Sequence, residues 1–108
     1  MRRSKWLLGL STALMLAATA PAVAAGAGAP AKATQCFACH GADGLSKAPD
    51  APNLAGQNEQ YLVKALQDFR SGGRVHEVMS MMAKGLSDQD IQAISAYFSA
   101  IAISVKAP

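Results

Sequence analysis

Two cysteines and a histidine crowded into one pentapeptide, Cys36-Phe37-Ala38-Cys39-His40, constrain this chain more than any other feature. Thiols three positions apart lie on one face of a helical turn, about the spacing of the two vinyl groups along a porphyrin edge. His40 comes four positions after Cys36, so its imidazole can rise beneath a ring tethered by both thioethers. A neutral ring nitrogen would then bind the iron. The pattern reads as covalent haem attachment, and any fold that follows must wrap a flat apolar group against this one turn.

Other uses of the motif fit the chain less well. A redox Cys-x-x-Cys wants a strand–helix setting, and no run of strands is visible. A structural zinc wants four ligands, whereas the chain has two cysteines and only one further histidine, His76. A disulfide across a two-residue gap would be strained and would close almost no loop.

The amino terminus sets the compartment. Arg2, Arg3 and Lys5 form a basic start, Leu7 to Ala20 is apolar, and Ala22-Val23-Ala24 offers a small-residue cleavage site. Residues 1–24 are therefore expected to be a cleaved secretory signal, cut after Ala24 or Ala25. The apolar run is short for an uncleaved membrane anchor, so no stable membrane span is expected after cleavage. Export to the periplasm would place the thiols where c-type haem is attached, outside the cytoplasm.

Removing the signal changes the charge argument. The net charge of +3 comes from ten Lys and Arg against seven Asp and Glu, and three of the ten stand in the first five residues. The remainder balances, which gives no basis for nucleic acid binding. A domain this small buries a modest core and often depends on a staple, a role a buried porphyrin can fill.

Along the chain, residues 25–30 are rich in Ala, Gly and Pro and read as a flexible leader. Ala31 to Cys39 suits a short helix, and Gly41 to Gln57 a loop. Asn58 to Arg70 has Tyr61, Leu62, Leu66 and Phe69 at helical spacing, with Asn58 or Gln57 as cap and Ser71-Gly72-Gly73 as stop. Arg74 to Gly85 is expected to be irregular and methionine-rich. Ser87-Asp88-Gln89-Asp90 resembles a capping box with Asp in the Glu position. Ile91, Ile94, Tyr97 (or Phe98) and Ile101 then form an apolar stripe.

An iron that shuttles electrons needs a sixth ligand, and a thioether favours iron(II) and raises the potential. Met79, Met81 and Met82 stand within four residues, a concentration not easily explained as core filler. Spacing alone does not choose among them. His76 is the competitor, although a histidine between Arg74 and Glu77 suits a solvated surface.

Taken in order, these residues resemble a small monohaem class I cytochrome c. The likeness is to the bacterial branch that includes dihaem cytochromes built from two such domains. It is carried by residues 36–44 and 52–57, by Tyr61-Leu62 and Leu66, and by residues 69–72 and Arg74. It continues through residues 86–91 to Ala96-Tyr97-Phe98. The resemblance implies an all-α class I cytochrome c fold over residues 31–108, three main helices and loops wrapped around one covalently bound haem. It selects Met79, seven residues before Leu86, with Met82 next and Met81 third. His40 and Met79 would thus ligate the iron. The Pro52 carbonyl would accept from the far nitrogen of His40, Leu54 and Tyr61 would line the cavity, and the last helix would cross the first. The dihaem members repeat the domain, whereas a single Cys-x-x-Cys-His here implies one haem c, attached through Cys36 and Cys39.

The only tryptophan, Trp6, lies in the signal, which leaves Arg74, Gln57 or Tyr61 for a haem propionate. Lys47, Lys64 and Lys84 could ring a docking site, but scattered lysines usually just solvate a surface. The implied function is a periplasmic electron carrier and not an enzyme. Its donor would be a quinol-oxidising complex or a dehydrogenase, and its acceptor a terminal oxidase or reductase. The alternative is a permanent haem subunit of an oxidoreductase complex, such as a flavoprotein sulfur-compound dehydrogenase.

Overall fold

A computed structural model describes residues 28–108. The expected signal, residues 1–24, and the first half of the leader, residues 25–27, lie outside the described residues. Helices and turns account for all the regular structure described, with no strand among these residues. No helix there is long and apolar enough to cross a membrane.

The chain enters through a 3-10 turn, Ala31–Cys36, that passes directly into α1, Phe37–His40. Pro30 sets the start, its carbonyl accepting from Ala33 N at 2.8 Å. The expected single helix over Ala31 to Cys39 is thus two short pieces of different pitch. Gly41, at φ +79°, ends α1 in a conformation that favours glycine.

The loop that follows is pinched at its base. Gly44 O accepts from both Leu54 N (2.8 Å) and Ala55 N (3.0 Å). A Cβ on Gly44 would lie only 2.6 Å from Ala55 N, so the two limbs approach this closely only with glycine there. The pinch holds residues 45–53 as a closed loop beside α1.

Helix α2, Glu59–Ser71, starts where Asn58 Oδ1 accepts from Tyr61 N at 3.1 Å. It ends at Gly72 in the left-handed region, φ +89°. Helix α4, Asp88–Ser99, carries the expected capping box. Ser87 Oγ accepts from Asp90 N at 3.1 Å, and Asp90 Oδ2 accepts from Ser87 N at 2.9 Å. Arg70 ties the end of α2 to the start of α4, donating to Leu86 O (3.0 Å) and to Asp88 Oδ1 (2.6 Å).

One expectation fails here. The segment from Arg74 to Gly85 is not irregular, because Glu77–Lys84 forms a further helix, α3. The ring of His76 supplies its cap, Nδ1 accepting from Val78 N and Met79 N, each at 3.3 Å. Ser80 Oγ closes the turn by accepting from His76 N at 3.0 Å. Methionine, alanine and lysine are good helix formers. Once the first turn is capped they propagate it, and among the described residues the longer helices are α2, α3 and α4.

The core gathers Ala33, Leu62, Leu86, Ile91, Ile94 and Phe98, all buried. Of the alternatives Tyr97 and Phe98, Phe98 is the fully buried one. Helix α4 packs against the Ala31–Cys36 turn, and the Phe37 ring that follows it meets Phe98 edge-on at 6.4 Å. Tyr97 also packs on Phe37, with ring centroids 6.0 Å apart, and its hydroxyl donates to Ala42 O at 2.6 Å.

Candidate functional site

The helices and the pinched loop leave a cavity of about 220 Å³ between them, walled mainly by apolar side chains. Cys36, Cys39 and His40 stand together on one side of it. The short helix α1 puts them there, and burial leaves His40 only 6 % exposed. His40 Nδ1 lies 2.8 Å from Pro52 O. A carbonyl can only accept, so Nδ1 carries the proton and the lone pair belongs to Nε2. The loop pinched at Gly44 thus delivers the group that fixes the imidazole.

Both cysteines are free, Cys36 half-buried and Cys39 exposed. Burial pushes the Cys36 thiol up to about 11, so it is protonated at neutral pH. Among the described residues no three His, Cys, Asp or Glu side chains lie close enough to share a metal ion. The zinc alternative therefore finds no ligand set there.

Of the three clustered methionines, Met79 borders the cavity and Met81 and Met82 do not. Met81 points away, 65 % exposed. The reason is the helix that sequence reading missed, since α3 turns successive residues to different sides. His76 also borders the cavity, but its Nδ1 is engaged as the α3 cap.

Pro52, Leu54 and Tyr61 all border the cavity, Tyr61 with half its surface still open. Among the candidates for an anionic edge, Arg74 and Tyr61 reach it and Gln57 does not. The Arg74 guanidinium sits 4.6 Å above the Phe69 ring, which also lines the wall. Phe69, Ile94 and Phe98 were legible only as packing positions. Ser95, a buried polar residue within the apolar stripe of α4, gave no sequence signal of being buried without a partner.

These residues fit a covalently bound haem. Two unpaired thiols share a rim with an imidazole whose Nε2 lone pair is free, a thioether borders the same space, and the walls are apolar.

The cytochrome c family model matches residues 23–101. A cytochrome c4 of Pseudomonas aeruginosa is 45% identical over 102 residues, covering 94% of this chain and 51% of the relative. A thiosulfate dehydrogenase electron acceptor of Thiomonas intermedia is 45% identical over 86 residues, 79% of this chain and 40% of that protein. The crystal structure of reduced cytochrome c4 from Pseudomonas stutzeri superposes with a TM-score of 0.63 at 48% identity. That match covers 68% of this chain and 44% of the other. The chain spans about half the length, or less, of these relatives. With the family model running from before the pentapeptide to the end of α4, the chain belongs to the cytochrome c family, has the class I fold, and takes haem c covalently through Cys36 and Cys39.

Proposed function

We propose that this protein is a periplasmic one-electron carrier whose haem iron is ligated by His40 and Met79. One observation carries the reading: the Nε2 of His40, freed by the Nδ1–Pro52 hydrogen bond, shares one apolar cavity with the Met79 thioether. Bound haem c supplies a one-electron iron(III)/iron(II) couple. The Pro52 carbonyl holds the imidazole in one tautomer and orientation. The Met79 sulfur, a soft neutral donor, favours the reduced state. Leu54, Leu66 and the rings of Phe69 and Phe98 keep water from the site. With His40 and Met79 both holding the iron, these residues would perform no bond chemistry, and the role would be transfer and not catalysis.

Residues 1–24 serve as the export signal in this reading. The donor is a dehydrogenase or a quinol-oxidising complex, and the acceptor a terminal oxidase or reductase. Similarity to a thiosulfate dehydrogenase electron acceptor supports a sulfur-compound dehydrogenase as donor class. An optical redox titration of the secreted holoprotein tests the reading. A reversible one-electron wave is expected, with a near-infrared sulfur-to-iron band in the oxidised form. Absence of that band together with ready carbon monoxide binding would overturn it. Stable co-purification with a flavin subunit would replace a mobile carrier by a resident one.

A further inference from the structure

Met79 is not held at the cavity by packing alone. It is the third residue of α3, a helix of eight residues among which only Ala83 is buried. The first amides of a helix have no partner within it, and an uncapped first turn frays. Here the ring of His76 takes two of them, Nδ1 accepting from Val78 N and from Met79 N itself. Ser80 Oγ reciprocates by accepting from His76 N at 3.0 Å. The ring is seated in turn, edge-on to Phe69 of α2 with centroids 6.4 Å apart. Phe69 is buried, so the cap rests on a fixed wall. The same hydrogen bonds have a second consequence. A neutral imidazole whose Nδ1 accepts carries its proton on Nε2 and has no lone pair left for a metal.

We propose that His76 is a positioning residue for Met79. By capping α3 through the N–H of Met79 it keeps the thioether at the iron, and the tautomer this demands keeps its own ring out of the axial place. The inference rests on the reading of the cavity as a His40–Met79 centre. In a long, well-packed helix a lost cap loosens the end and leaves residues further in undisturbed. In α3 the ligand stands in the capped turn, and little packing backs it up. Fraying there is opposed directly by the bond to Met79, and the cap spares that bond the work.

The test compares the holoproteins of wild type, His76→Ala, His76→Asn and Ser87→Ala. Carbon monoxide binds reduced iron only where Met79 has let go, so its binding rate reads the open fraction. His76→Ala is expected to bind it roughly fivefold faster, the factor equal to a lost cap of about 1 kcal/mol. Asparagine is among the best ordinary caps, and His76→Asn should return the rate to within about twofold of wild type. Ser87→Ala removes a cap of similar worth from α4, which holds no ligand, and should leave the rate unchanged. An unchanged rate in His76→Ala overturns the inference. So does an equal rise in Ser87→Ala, which would mark general loosening. A His76→Asn protein as open as His76→Ala also overturns it, by assigning the effect to the bulk of the ring. A wild type without the sulfur-to-iron band overturns the His40–Met79 reading as well, an outcome distinct from equal rates with the band intact.

Discussion

The two sides of the cavity differ in how firmly the protein itself holds them. The cysteine–histidine side is tied from several directions. Pro52 O takes the His40 ring, Cys39 O accepts from Lys47 N at 2.7 Å, and Phe37 lies against both Phe98 and Tyr97. The methionine side is one helix of eight residues with only Ala83 fully buried. Val75 and Met81 face solvent around it. Short helices are marginal without packing. The first side is held by the protein's own contacts, whereas the second would have most to gain in order from the proposed ligand bond through Met79.

Substitutions can break or sharpen that contrast. The largest effect is expected at the firm side. Cys36→Ser combined with Cys39→Ser should abolish covalent haem, read as loss of haem signal from the denatured protein. Retention would show that the thiols are not the tethers.

At the soft side, Met79→Ala should keep the covalent haem and lose the near-infrared band. Its potential should fall by on the order of tenths of a volt, within the roughly 0.8 V that axial ligands span. Met81→Ala, on the exposed face, should leave both unchanged. A reversed result would move the sixth ligand along α3.

Smaller effects belong to the scaffold joining the two sides. Arg70→Ala removes the bond to Leu86 O and the ion pair with the largely exposed Asp88. Urea denaturation should show a loss of about 1–2 kcal/mol, most of it from the carbonyl contact. Ser87→Ala removes the α4 cap and should cost about 1 kcal/mol.

The smallest expected effect is on pH dependence. The Ser87 backbone N–H holds the Asp90 carboxyl below the usual aspartate range, and the Leu45 N–H does the same for Asp43. With the native value depressed, the unfolded chain binds more protons. This stability is therefore complete above the ordinary aspartate range and drains as the pH falls through the lowered native values. Asp90→Asn should flatten the acid limb of a stability–pH curve. An unchanged limb would show that the capping box does not feel the charge.

Much of this was legible because it is local. The haem motif and the Ser87–Asp90 box each state their chemistry within five residues. The spacing of Leu62 and Phe69, and of Ile91 and Ile94, marked the faces that are buried. Helix α3 was hidden because its cap is a histidine ring, outside the usual Ser, Thr, Asp and Asn, and because Val75 and Val78 are weak helix formers. Position within that helix separates Met79 from Met81 and Met82 at the cavity, so periodicity of the methionines alone could not choose. Ser95 was illegible for a different reason. Whether a serine in an apolar stripe is buried without a partner depends on the tertiary packing around it, and no window of sequence contains that packing.

The Tyr97 hydroxyl bond to Ala42 O spans 55 residues, and that distance is also an interval of time. Chains are made at roughly 5–20 residues per second, amino terminus first. The turn with both thiols therefore exists for seconds before the tyrosine that clasps its following loop. Export in the same direction would keep that order. The segment that must react is synthesised early and locked late, leaving Cys36 and Cys39 reachable before the last helix clasps the loop beside them.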